Sequence, residues 1–122
     1  MTQEEKQLLL IDLFTRLPYG VKTSNGNRTL ELSPRSDIIP IIDNGHIPYL
    51  RPMSSMTDEE RKVYKSFIFT QHHEWDGHGK STDYVETDDV ERYVTWLNRK
   101  MFDHRGLIPM GLALEAPADM YI

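Results

Sequence analysis

The spacing of apolar residues changes abruptly at Pro18, and this change limits the possible folds more than any other feature of the chain. Thr2 and Glu5 form a capping box, which starts a helix near Gln3. Pro18 cannot continue that helix, so it should end near Arg16. Apolar residues recur along it every three or four positions, as on one buried helical face. These residues are Leu9, Leu10, Leu13, Phe14 and Leu17.

Beyond Pro18 the residues favour strands and turns. The segments 21–23 and 29–32 flank Asn25-Gly26, a pair suited to positive φ, and this pattern predicts a β-hairpin. The β-branched run from Ile38 to Ile42 predicts a third strand. Its Pro40 lacks a backbone donor and places that strand at an edge or a bulge.

Prolines and capping residues organise the centre of the chain. The segment 46–52 carries two prolines, which disfavour helix and predict an extended connection. Thr57 and Glu60 form a second capping box, and a second helix should run from Asp58 to about Phe69. The polar residues from Gln71 to Asp83 show no apolar period and predict a mobile loop.

The last third of the chain predicts a third helix and a closing strand. The helix should run from about Asp88 to His104, with Gly106 in the left-handed position after it. Alternating apolar residues from Leu112 to Ala116 predict the strand. We therefore expect a single α+β domain spanning residues 1–122, with three helices packed against a small, mainly antiparallel sheet.

Composition excludes several functional classes. The chain has no cysteine, which excludes disulfides and thiolate metal sites and suits a reducing cytoplasm. A formal net charge of -5 disfavours nucleic acid as a partner, because phosphate backbones select basic surfaces. The acidic start lacks secretory-signal features, and the apolar runs are far shorter than the roughly 20 residues of a membrane span. We predict a cytoplasmic protein that binds no membrane and needs no cofactor.

Three ordered motifs resemble those of one protein family. They are Leu17-Pro18-Tyr19-Gly20-Val21, the segment 49–56 with the acidic helix start after it, and the segment from Trp96 to about Tyr121. In these motifs the chain resembles a group of small uncharacterised proteins of gut bacteria and their phages or prophages. That group has no established activity, so the resemblance implies an origin but no chemistry. Where relatives carry a histidine pair this chain has Lys100 and Met101, so a role built on that pair does not carry over.

A histidine-rich segment is the candidate metal site. His72, His73 and His78 stand close together with Glu74 and Asp76 between them. Imidazole and carboxylate together suit divalent transition metals. The spacing matches no known site pattern, so a solvated polar loop is the competing interpretation.

Two aromatic residues and one arginine are the candidate binding residues. Trp75 and Tyr84 lie in or beside the polar loop, where an exposed aromatic side chain often anchors a partner. Arg51 has two interpretations. It binds a partner, or its guanidinium forms an internal ion pair with a carboxylate such as Asp103.

The segment after the third helix is assigned a structural role. Asp103, Arg105 and Gly106 should cap the helix and fix the turn that follows. Asp103, His104 and Arg105, beside Asn98, also resemble parts of a small hydrolase site. Consecutive helical residues point in different directions, however, so we assign no catalytic residue.

The sequence therefore favours a non-enzymatic interaction or accessory protein of a phage or mobile element, whose partner is another protein. One alternative is a small metal-dependent enzyme or metal-binding protein that uses the segment from His72 to His78. A nucleic-acid-associated module is a second alternative.

Overall fold

The computed structural model describes residues 1–68, 72–75, 77, 81–84 and 87–121. Within this part, the chain forms helices and a small sheet, which confirms the predicted α+β class. The helices are α1 (Gln3–Arg16), α2 (Ile38–Asp43), α3 (Asp58–Ile68) and α4 (Thr87–Arg99). The strands are β1 (Lys22–Ser24), β2 (Thr29–Glu31), β3 (Ile47–Leu50), β4 (His72–Trp75), β5 (Ser81–Tyr84) and β6 (Leu114–Glu115).

The chain divides into two compact units. The sheet unit comprises residues 1–55 and 97–122, and the hairpin unit comprises residues 56–96. The prediction of a single domain stays a prediction.

The sheet unit is built on strands in the order β2-β1-β3-β6. β1 pairs antiparallel with both β2 and β3, whereas β6 adds parallel to β3. Among the described strands of this sheet, two pairings are thus antiparallel and one is parallel. This agrees with the predicted mainly antiparallel sheet. The predicted hairpin is confirmed with Thr23 opposite Leu30. Its turn is fixed by the Asn25 side chain, whose Oδ1 accepts from the amides of residues 27 and 28.

β3 was predicted as an extended connection, and it forms an inner strand of the sheet. Pro48 stands opposite Thr23, and the neighbouring pair is Ser24 and Ile47. Along an antiparallel strand, every second residue directs its N–H group away from the neighbouring strand. A proline at one of these positions removes no hydrogen bond to that strand. Two prolines in a segment therefore did not prevent it from joining the sheet.

Tyr121 completes the sheet where β1 and β3 separate. Its hydroxyl accepts from the Lys22 amide at 2.9 Å and donates to the Tyr49 carbonyl at 2.8 Å. One side chain thus joins two strands at the place of a missing ladder bond. Burial raises the pKa of Tyr121 to about 12, so the hydroxyl keeps the proton that it donates.

The predicted edge strand at 38–42 is wrong, since this segment forms the short helix α2. Pro40 lies in the first helical turn, where backbone N–H groups have no partner within the helix, so the missing donor is harmless. Ile38 and Ile42, four residues apart, are both buried, whereas Ile39 is 54 % exposed. The β-branched run thus buries a helical face.

α1 has the predicted bounds, and its capping box between Thr2 and Glu5 is present. Leu9 and Leu13 are fully buried and belong to the core of the sheet unit. Phe14 differs from the prediction, because its side chain is 59 % exposed. The other core members are Leu17, Val21, Leu32, Ile38, Ile42, Leu50, Met101, Leu107, Leu112 and Ala113.

α4 ends at Arg99, five residues before the predicted end. The helix closes in a Schellman motif, in which the Phe102 amide donates to the Leu97 carbonyl and the Met101 amide to the Asn98 carbonyl. Met101, not a glycine, takes the left-handed position, with φ 61°. Its side chain is 1 % exposed, so burial in the core holds a residue where glycine is usual.

The hairpin unit contains α3, most of α4 and the antiparallel pair β4-β5. The predicted loop is wrong at these strands, which pair His72 with Tyr84 and Trp75 with Ser81. α3 begins as predicted, with the second capping box formed by Thr57 and Glu60. The described helices of the whole chain include no segment with the length and apolar character of a membrane span.

Aromatic rings join α3 to α4 within the hairpin unit. Tyr64 and Phe67 both contact Tyr93, with ring centroids 5.6 and 6.0 Å apart. Phe67 also contacts Trp96 at 6.0 Å. Trp96 is 5 % exposed and is thus buried.

We expect Tyr121→Phe to lower the free energy of unfolding by about 1 to 3 kcal/mol, because two backbone groups lose their partner. Urea denaturation measures this change. Tyr19→Phe is the matched control, since the Tyr19 side chain is exposed and surface changes usually stay within about 0.5 kcal/mol. Equal stability of the two variants would contradict the role of the Tyr121 hydroxyl.

Candidate functional site

The segment after α4 is bonded to the end of β3. The Arg51 amide donates to the Met101 carbonyl at 2.7 Å, and the Asp103 amide donates to the Arg51 carbonyl at 2.8 Å. These bonds make an isolated parallel bridge between Arg51 and Phe102. The backbone therefore ties this connection to the segment after the helix.

The Arg51 side chain also makes internal contacts. Its guanidinium lies 4.2 Å from the centre of the Phe102 ring, a cation–π arrangement. Its Nη2 donates to the Ser55 carbonyl at 3.4 Å. The binding role of Arg51 stays a prediction.

Asp103 fixes the turn that follows, as expected of a structural residue. Its two carboxylate oxygens accept from the amides of Leu107 at 2.7 Å and Ile108 at 2.9 Å. Gly106 has φ 73° within this turn, a conformation that favours glycine. The side chain of Asp103 is thus engaged with backbone groups of its own turn.

Arg105 joins a buried charge cluster. The carboxylate of Asp12 accepts from Arg16 Nε and Nη2, both at 2.9 Å, and from Arg105 Nη1 at 2.7 Å. Asp12 and Arg16 are fully buried. Arg16 Nη2 also donates to the Phe102 carbonyl at 2.8 Å. The cluster connects α1 to the segment after α4 through charge-assisted hydrogen bonds, which are stronger than neutral ones.

The cluster holds two guanidinium groups against one carboxylate. Arg16 Nη1 is buried without a hydrogen-bond partner among the described residues, and unpaired buried donors destabilise a fold. Asp12 is therefore the group on which the burial of Arg16 depends. Neither residue was predicted from the sequence as part of a site, although their i, i+4 spacing on the helical face of the leucines was a visible signal.

His104 lies beside this cluster and is half-buried. Its Nε2 lies 2.7 Å from Asn98 Oδ1 and 3.4 Å from Arg105 Nη1. Burial, reinforced by the charges of Arg105 and Arg16, lowers the pKa of His104 to about 4. The imidazole is therefore neutral at pH 7, and a neutral ring donates from Nε2 to Asn98.

The polar groups around His104 are engaged in contacts within the fold. A general base needs a nucleophile within hydrogen-bond reach. The nearby hydroxyl of Thr15 donates to the Asp12 carbonyl at 2.7 Å, and Asp103 is held by its turn. Asp103 and Gly106 thus belong to the turn that was predicted around them, whereas the cap of α4 is formed at Met101 and not by these residues.

The other predicted site residues belong to the hairpin unit. His72 and His73 lie in β4, as does Trp75, while Tyr84 ends β5. His78 lies outside the described residues. Within the part of the chain that is described, no group of three or more His, Asp or Glu side chains is placed to hold a metal ion. Metal binding by the histidines and partner binding by the two aromatics both stay predictions.

An open groove of about 350 Å³ lies on the sheet unit, beside β6. Its apolar part comes from the turn before α3 and from the turn after Gly106. Glu115 of β6 contributes an exposed carboxylate. The described lining residues are Pro52, Met53, Ser54, Asp103, Gly106, Ile108, Pro109 and Glu115.

The outward face of α1 is a second exposed feature. Ile11 and Phe14 are 56 % and 59 % exposed and stand three residues apart, one turn along the helix. Pro18, four residues after Phe14, is also exposed. Ile11 is two residues from both Leu9 and Leu13, so it projects from a different side of the helix. This spacing is the sequence signal that could have predicted its exposure.

Neither a family model, nor a curated protein, nor a solved structure matches this chain. Proposals for its function therefore depend on the geometry of the described residues.

We expect Asp12→Asn to lower the free energy of unfolding by about 3 to 5 kcal/mol, because it leaves a buried guanidinium without its charge partner. Asp43→Asn is the matched control. Asp43 Oδ1 lies 2.7 Å from Lys6 Nζ, and Asp12 Oδ1 lies at the same distance from Arg105 Nη1. The side chain of Asp43 is 55 % exposed, however, and exposed ion pairs contribute under about 1 kcal/mol to stability. Urea denaturation of both variants compares them, and similar losses would contradict the role given to Asp12.

The stability of the protein should depend on the ionisation of His104. Its folded pKa of about 4 lies below the unfolded value of about 6.5. Between these values the unfolded chain binds a proton that the folded chain does not, so stability falls as pH decreases from about 6.5 to 4. His104→Gln should lose less stability over this range than the parent protein. An NMR titration midpoint of the His104 ring near 6.5 would refute this prediction.

Proposed function

We propose that this protein is a non-enzymatic interaction protein and that it binds another protein through the outward face of α1. The observation that carries the proposal is the exposed pair Ile11 and Phe14. Large apolar side chains that stay exposed together mark contact sites in folded proteins. Aromatic side chains in particular contribute strongly to such contacts.

The inner side of α1 supports this proposal because it fixes the position of the helix. Leu9 and Leu13 are buried in the core, and the capping box sets the first turn. Asp12 and Arg16 attach the same face to the segment after α4. Ile11 and Phe14 are therefore presented on a rigid element, which reduces the entropy lost on binding.

The spacing of the exposed pair indicates how a partner would bind. Residues at i and i+3 project from one side of a helix, and a complementary apolar groove can receive both. Pro18 extends the same line beyond the helix. We therefore propose a partner with an apolar groove that accepts the side of α1.

The cellular setting is part of the same proposal. The resemblance of three motifs to small proteins of gut bacteria and their phages supports an accessory protein of a phage or mobile element. A chain without cysteine suits the reducing bacterial cytoplasm. Residues of the hairpin unit, including Trp75 and Tyr84, remain proposed as additional contacts.

The test compares two exposed isoleucines of the sheet unit. Ile11→Ser/Phe14→Ser should abolish capture of a protein partner from lysate of the native host, quantified by mass spectrometry. Ile39→Ser, at a site exposed to a similar degree on α2, should leave that capture unchanged. With the purified partner, calorimetry should show at least a roughly tenfold loss of affinity for the double variant. Equal capture by the parent protein, the double variant and Ile39→Ser would exclude α1 as the interface.

A further inference from the structure

The groove beside β6 has no lining residue on α1 among the described residues, and its chemistry points to a different contact. Its volume of about 350 Å³ lies at the lower end of the range for ligand pockets. Pro52, Met53, Ile108 and Pro109 supply its apolar lining. A space of this size and lining suits one long aliphatic chain.

The charge of the groove is negative. Asp103 and Glu115 are the acidic lining residues, and none of the lining residues in the described part of the chain is basic. Asp103 is 7 % exposed and both of its oxygens accept from backbone amides. Glu115 is exposed on a two-residue edge strand, so its carboxylate is the one available to a ligand.

We infer that this groove receives the side chain of an arginine or a lysine presented by a partner protein. The methylene stem lies along the proline rings, Met53 and Ile108, and the cationic group lies at Glu115. Arginine and lysine regularly bury their stems on apolar surface while the charged end stays near water. The hydroxyl of Ser54, on the exposed rim, is a further acceptor for the N–H groups.

Charge complementarity selects this occupant. A neutral aliphatic side chain would cover the apolar lining but leave the Glu115 carboxylate without a partner. An acidic side chain would be repelled by both carboxylates and by the net charge of -5. A cation with an aliphatic stem satisfies both parts of the groove.

The experiment uses single amino acids as probes of the groove. N-acetyl-arginine amide, N-acetyl-lysine amide and the neutral N-acetyl-norleucine amide are titrated into the ¹⁵N-labelled full chain. Arginine and lysine should shift the amide signals of Met53, Ser54, Gly106, Ile108 and Glu115, with dissociation constants on the order of 1 mM. Norleucine should bind at least about fivefold more weakly, since it lacks the charge-assisted contact.

Two variants and one control locate the contact. Glu115→Gln should weaken arginine binding about three- to tenfold, whereas Glu4→Gln, an equal charge change on α1, should leave it unchanged. Ser54→Lys, at an exposed position, should fill the groove with its own side chain and abolish binding. Ile11→Ser should bind the probes as the parent does, so this test is independent of the proposed α1 interface.

Three results would each overturn the inference. Equal binding of norleucine and arginine would identify the groove as an apolar site. Equal weakening by Glu115→Gln and Glu4→Gln would reduce the effect to net charge. Shifts confined to amides outside the groove would show that the probes bind elsewhere.

Discussion

The structure of the sheet unit depends on the Asp12 carboxylate. It is fully buried and holds Arg16 of its own helix and Arg105 from the far end of the chain. Through Arg16 it also reaches the Phe102 carbonyl. A buried charge is tolerated only when it is paired and hydrogen-bonded, so the position of α1 and the path of residues 102–105 are specified together. The positions of the outward face of α1 and of the groove beside β6 both depend on these bonds.

A second constraint is the pairing of free backbone groups with side chains. The Tyr121 hydroxyl substitutes for a missing bond between Lys22 and Tyr49, and Asp103 satisfies two amides of the turn that follows it. In both places a polar side chain near the end of the sequence satisfies backbone groups that secondary structure leaves free. In the last quarter of the chain these polar residues thus pair with backbone groups, while the apolar turn after Gly106 supplies one wall of the groove.

Local chemistry made several elements predictable. The capping boxes of Thr2 and Thr57 fixed two helix starts, and Asn25-Gly26 fixed the hairpin, because each signal acts within a few residues. The errors arose where distant contacts competed with local preference. The run at Ile38 became a helix because burying Ile38 and Ile42 outweighed β propensity. α4 ended at Arg99 because burial of Met101 held it in the left-handed conformation.

For the candidate sites, the sequence by itself determined which residues carry charge and which chemistries the composition excludes. Only the tertiary structure decided that Asp12, Arg16 and Arg105 meet, that β3 lies inside the sheet, and that Pro52, Ile108 and Glu115 share one groove. These residues are up to 93 positions apart along the chain, and their meeting depends on the packing of whole elements. Local pattern carries no information on such meetings, since burial and pairing free energies are set by neighbours that only the fold provides.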